Sequence, residues 1–206
     1  MSVSSSIVLG ITGGIACGKS EAGRALSAEG FKVLDCDFLA HELMNSGRPV
    51  YSQIVHFFGK DILADDGEID RKKLGARVFE NEEERATLNR LVHPAVITAV
   101  DEWIAECRAA KENAAVLVPL LFEAEWTAGW DAIICISSLA DLMIARLMQS
   151  RGFTEEEARR RIAAQMPVAE KAARADYAVL NESTLESLHR QIVDLAQRIK
   201  SEKKEQ

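Results

Sequence analysis

Residues 13–20 read Gly13-Gly14-Ile15-Ala16-Cys17-Gly18-Lys19-Ser20: a glycine, four residues, then Gly-Lys-Ser, directly after the apolar run Ile7–Ile11. That spacing suits a phosphate chain. A polyanion is held by backbone N–H groups aimed inward, by glycines small enough to let the backbone approach, and by a cation in reach. Gly13, Gly14 and Gly18 supply the room and Lys19 the charge, and a helix starting near Gly18 directs its positive dipole end at the β-phosphate. The nucleotide site is therefore expected over Gly13, Gly14, Ala16, Cys17, Gly18, Lys19, Ser20 and Glu21, with a nucleoside triphosphate as substrate and the Ser20 hydroxyl placed to ligate Mg2+. Ala22, Ala25 and Leu26 continue at helical spacing. The loop thus sits between a strand and a helix, the context that distinguishes it from a bland glycine-rich turn.

Two further groups could do phosphoryl-transfer chemistry. Leu34-Asp35-Cys36-Asp37 closes a second apolar run, which puts two carboxylates where open parallel sheets bind ligands, outside the carboxyl ends of their strands. If the segment is extended, residues two apart point the same way, so one aspartate can bind the acceptor or the water shell of magnesium while the other takes the proton of the attacking hydroxyl. The competing reading is that Asp37 only caps a helix. Further along, Arg146, Arg151, Arg159, Arg160, Arg161 and Arg174 fall within one stretch. They form either a solvated face paired with Glu155, Glu156 and Glu157, or a mobile lid whose arginines neutralise the charge that builds on the transferred phosphoryl group.

The elements that must position these groups are legible in the apolar pattern. Ile7–Ile11, 31–34, 115–118, 132–136 and 177–180 are short, nearly unbroken apolar runs, as expected of parallel strands covered on both faces. Val96, Val100, Trp103, Ile104 and Cys107 share one helical stripe, as do Leu185, Leu188, Ile192, Leu195 and Ile199. Thr154 with Glu157, and Ser183 with Glu186, read as capping boxes. His93-Pro94 marks the end of one helix and the first turn of the next. Trp126 and Trp130 flank a turn, where aromatic rings either line a pocket or simply pack. Strand and helix alternate at both ends of the chain, so an open α/β sheet is expected, interrupted by a mostly helical insertion and by the arginine-rich one.

Composition narrows the function. The 206 residues carry 25 Lys plus Arg against 32 Asp plus Glu, a net charge of −7, which argues against a nucleic-acid or anionic-membrane partner. Cys17, Cys36, Cys107 and Cys135 lie far apart with no Cys-x-x-Cys pair, so free thiols in a cytoplasmic protein are expected rather than a zinc site or disulfides. A thiol at Cys17, near a helix N-terminus and Lys19, is expected to be reactive unless it is buried. No Asp-x-x-Gly sensor with an Asn-Lys-x-Asp guanine reader is present, which counts against a nucleotide-dependent switch.

In order along the chain, Gly10-Ile-Thr-Gly-Gly-Ile15, Gly18-Lys-Ser20, Asp35-x-Asp37, Ala40-His41, Phe58-Gly59, Gly67-Glu-Ile-Asp-Arg71, Val78-Phe79, His93-Pro94, Val118-Pro-Leu-Leu-Phe-Glu123, Arg146, Arg151, Gln165 and Ala175-Asp176 resemble the dephospho-coenzyme A kinase family over nearly the whole length. The resemblance implies a P-loop kinase-type three-layer α/β fold with a five-stranded parallel sheet and transfer of the ATP γ-phosphate to the ribose 3′-hydroxyl of dephospho-coenzyme A. A kinase of another nucleoside or nucleotide is the alternative. It further implies a nucleotide-binding core at about 1–40, 112–140 and 172–206, an acceptor-binding insertion at about 41–111 and a lid at about 141–171. By the same resemblance Asp37, Lys19 and Arg146 are catalytic, Arg151 and Asn181 bind nucleotide, and Asp35, Asp37, His93, Leu121 and Glu123 bind the acceptor. A monomer or weak homo-oligomer is expected. The chain departs from the family pattern at Ala16-Cys17, where Gly-Ser is usual, at Glu21, where Thr is usual, at Met143, often Gln, and at Ser183, often Gly.

Overall fold

In a computed structural model, residues 6–204 of the chain are described. The elements are β1 (Val8–Gly13), α1 (Lys19–Ala28), β2 (Lys32–Asp35), α2 (Cys36–Leu43), α3 (Pro49–Phe58), a 3-10 turn (Lys60–Ile62), α4 (Arg71–Glu80), α5 (Glu82–Ala109), β3 (Ala114–Leu117), β4 (Ala132–Ser137), α6 (Ala140–Arg151), α7 (Glu155–Ala163), α8 (Val168–Arg174), β5 (Tyr177–Leu180) and α9 (Leu185–Lys204). The chain forms two compact units. One takes it up to Asp35 and again from Ile104; the other is Cys36–Trp103.

The first unit is built on a five-stranded sheet in the order β2-β3-β1-β4-β5 with every neighbouring pair parallel. β1 and β3 are buried along their whole length, which is why their sequences show no polar alternation. Leu9 and Ile11 face a core completed by Leu26 of α1 and by Leu188, Ile192 and Ile199 of α9. On the opposite face Gly10 leaves space: a Cβ there would lie 3.1 Å from the Trp130 ring and 3.2 Å from Leu121. Trp130 packs at a tilt of 56° against Trp126 with centroids 5.0 Å apart and donates its Nε1–H to the Trp126 carbonyl, so this aromatic pair packs the sheet. The register Gly13↔Ile136 and Asp35↔Leu117 brings the carboxyl ends of β1 and β2 to the same edge.

The second unit is helical, as its sequence suggests. Phe58-Gly59 ends α3, and Arg77 of α4 stacks 5.4 Å over the Phe58 ring, donates to the Phe58 carbonyl at 2.8 Å and forks onto Glu84 at 2.6 and 2.7 Å. The stretch Gly67-Glu-Ile-Asp-Arg71 is a turn closed by the bridge Leu63↔Ile69, after which Asp70 accepts from Lys72 N and Lys73 N and starts α4.

Two local expectations are corrected. Pro94 does not divide two helices: α5 runs through it. The buried stripe Val92, Val96, Val100, Ile104 and Cys107 continues on both sides of the proline. Pro94 and Arg90, whose carbonyl loses its donor, are both exposed, so water can serve the interrupted turn. At α9 the accepting hydroxyl belongs to Thr184, which receives Ser187 N at 3.2 Å, one residue later than the Ser183 box predicts. The Thr154 box is present in full.

Candidate active site

The phosphate loop is shaped by backbone that other residues could not follow. Gly13 has φ 143°, and a Cβ there would meet the Ile136 carbonyl oxygen at 2.1 Å. Gly18 caps α1 at φ 104°, and its Cβ would meet Asn181 Nδ2 at 2.6 Å. Ala16 takes φ 58°, the left-handed region that favours the glycine usual in the resembling family. Lys19 folds back over the loop and donates from Nζ to the carbonyls of Gly13 at 3.1 Å and Gly14 at 2.9 Å. The first-turn N–H groups of α1, which begins at Lys19 itself, have no intrahelical acceptors. Main-chain donors and an ammonium thus gather at the carboxyl end of β1, an arrangement that can hold a phosphate chain.

Three polar side chains hold the loop from outside. Arg146 of α6 donates to the Ala16 carbonyl at 3.2 Å, to Ser138 Oγ at 3.1 Å and to Asn181 through its carbonyl at 3.2 Å and Oδ1 at 3.4 Å. Asn181, buried just after β5, donates from Nδ2 to the Cys17 carbonyl at 2.9 Å. Gln165 Oε1 accepts from Ile15 N at 3.0 Å. The Asn181 amide is thus committed to the loop and to Arg146. Arg151, the last residue of α6, is exposed. Glu21 pairs with Arg24 and lies 3.4 Å from His189 Nε2 of α9.

Cys17 is fully buried, and burial pushes its thiol up from the ordinary value against the smaller opposing pull of Lys19. Of the two readings of Cys17, burial is therefore the one the structure bears out. The desolvation of the sulfur outweighs the helix terminus and the lysine.

The aspartate pair is also placed differently from the extended segment that its spacing suggests. β2 ends at Asp35 and α2 begins at Cys36, so Asp37 lies in the first turn of a helix, exposed, where the macrodipole favours an anion. Asp35 belongs to the sheet unit and Asp37 to the helical one. His93 on α5 is half-buried, and that burial lowers its pKa. Leu121 is fully buried in the sheet unit, and Glu123 is engaged with Lys171 Nζ at 2.6 Å and Met166 N at 3.1 Å. Sequence reasoning missed Ser138 and Lys171. Ser138 was findable, since it follows the carboxyl end of β4; Lys171 reads in sequence as one more solvated helix lysine.

A parallel sheet in this order, with a lysine-bearing glycine loop opening the helix after its central strand, defines a P-loop kinase. The family model for dephospho-CoA kinase matches residues 7–187, and the chain belongs to that family. It is 45% identical over 188 residues to a dephospho-CoA kinase of Geobacillus kaustophilus, covering 91% of this chain and 94% of that one. Among solved structures it is similar to TT1252 of Thermus thermophilus, with TM-score 0.77, 29% identity and coverage of 94% and 98% of the two chains. It is also similar to the dephospho-CoA kinase of Campylobacter jejuni, with TM-score 0.70, 27% identity and coverage of 95% and 98%.

Proposed function

We propose that this chain transfers the γ-phosphate of ATP to the ribose 3′-hydroxyl of dephospho-coenzyme A, the last step of coenzyme A synthesis. The observation that carries the reading is the loop at residues 13–20, with Lys19 folded over it, in a chain of the dephospho-CoA kinase family. In the reaction the 3′-oxygen attacks the γ-phosphorus, the bond to the β-phosphate oxygen breaks, and ADP leaves. Asp37 accepts the hydroxyl proton. Lys19 and the α1 amides hold the phosphates, and Arg146, fixed against the Ala16 carbonyl, stands where charge builds on the transferred oxygens.

Among the described residues no cluster of three His, Cys, Asp or Glu side chains could cage a metal. Mg2+ needs no such cage, because it keeps several waters and rides on substrate phosphates with one or two protein oxygens. The exposed hydroxyl of Ser20, in the first turn of α1, fits that requirement. Mg2+ there would neutralise phosphate charge. The helical unit Cys36–Trp103 would bind the acceptor, supported by a cavity of about 360 Å³ in which His41, Asn45, Glu68 and Arg71 meet the apolar wall of Met44 and Leu74. The described helices include none long and apolar enough to cross a membrane.

Mass analysis of a reaction with ATP, Mg2+ and dephospho-coenzyme A should show coenzyme A. Lys19→Ala and Asp37→Asn should each lower turnover by about 10²–10⁴ without unfolding the protein. Near-normal turnover in Asp37→Asn would move the base to Asp35 or remove it.

A further inference from the structure

Among the described residues Lys171 is the one charged side chain in the buried class, with 0% exposure, and the phosphoryl-transfer reading gives it no role. It lies on α8, a short helix packed against β1, β4 and β5. Its Nζ donates to the Pro119 carbonyl at 2.7 Å and pairs with Glu123 Oε1 at 2.6 Å. The same carboxylate oxygen accepts from Met166 N at 3.1 Å. The residue before Met166 is Gln165, whose Oε1 holds Ile15 N of the phosphate loop at 3.0 Å. One continuous line of contacts therefore runs from the segment after β3, through Glu123, to the chain just after α7 and on to the loop that cradles phosphate.

Burying a lysine is unfavourable for stability unless its partners are well placed, and an apolar side chain of similar length would fill the same volume at lower cost. Glu123 keeps a quarter of its side chain exposed, so it could be hydrated without the lysine. The charge pair therefore adds direction more than stability. It fixes which way the carboxylate points, and so where the Met166 N–H and the adjacent Gln165 amide stand.

We propose that Lys171 is a positioning residue for phosphoryl transfer: through Glu123 it fixes the C-terminal root of the arginine-bearing α6–α7 segment and, through Gln165, the register of that root against the phosphate loop. The inference rests on the reading of that segment as the lid. The test compares wild type, Lys171→Met and Glu123→Gln by steady-state kinetics and by trypsin cleavage at Arg159–Arg161, with and without ADP. ADP should protect these sites in the wild type. Lys171→Met should lower kcat at least tenfold with less than a threefold change in KM for either substrate, and should lose the ADP protection at α7 while cleavage elsewhere stays slow. Glu123→Gln, which keeps an oxygen for Met166 N–H but loses the charge, should show the same changes to a smaller degree. If Lys171→Met does not fold, Gln165→Ala, which breaks the last link of the same line at Ile15 N–H, must show the loss of ADP protection instead. Native kcat and protection in the folded variants, or cleavage that rises equally over the whole chain, would overturn the inference. An unprotected wild type would overturn the lid reading as well, which separates the two failures.

Discussion

Ala16 carries a backbone conformation that its side chain disfavours. At φ 58° an alanine is about 1–2 kcal/mol worse than in a right-handed conformation, a cost glycine avoids. Glycine returns some of that advantage, roughly 0.4–1 kcal/mol, through the greater freedom of its unfolded chain. Ala16→Gly is therefore expected to stabilise the protein by about 0.5–1 kcal/mol, raising the melting temperature by a few degrees on the scale typical of a chain this long. The Ala16 carbonyl that receives Arg146 remains in the variant, so ATP affinity should hold. A melting temperature that falls on substitution would show that Ala16 is unstrained. The departure at this position was visible in the sequence, but its consequence was not, because only the loop geometry shows which of the intervening residues turns left-handed.

Both roots of the α6–α7 segment are fastened to one short loop by different chemistry. Arg146 of α6 grips Ala16 and Asn181, and Gln165 after α7 grips Ile15. Asn181, the residue after β5, links this clamp to the Cys17 carbonyl. Removing its amide in Asn181→Ala leaves that buried carbonyl unsatisfied and takes one partner from Arg146, a loss of about 1–3 kcal/mol in loop order. Calorimetric titration should show ADP binding weakened about tenfold with the fold retained; unchanged affinity would mean that the loop holds its shape without the clamp. At this scale the sequence was read well where periodicity governs, as in the five strands and the Thr154 cap, and less well where tertiary packing overrides a local signal. Pro94 normally stops a helix, yet the valine stripe on both sides carries α5 past it. Asp35-x-Asp37 looked like one extended pair, yet the turn from strand to helix falls between its members.

Across the whole molecule, the apolar strand runs that disclosed the sheet unit give way in the helical unit to helices that carry titratable groups, whose stability is tied to solution conditions. His93 shows how. Burial disfavours its imidazolium, so its folded pKa lies below the ordinary 6.5, while the unfolded chain takes up the proton near that value. The unfolded state therefore binds more protons as pH falls through 6.5, and stability must fall with it. The sign is that of a neutral buried histidine: the contribution is complete above pH 6.5 and is lost as pH drops towards the folded pKa. Two carboxylates of the helical unit with displaced pKa values lie outside this window. Asp70, held by the Lys73 and Lys72 N–H groups, and Glu84, held by Arg77, have lowered pKa values, so their contributions are lost only at more acid pH. Urea unfolding followed by helical circular dichroism should show midpoints decreasing from pH 7.5 to 5.5 in the wild type and a flatter decline in His93→Gln. Equal slopes in the two proteins would locate the acid sensitivity elsewhere, because an uncharged glutamine at this half-buried position has no proton to take up.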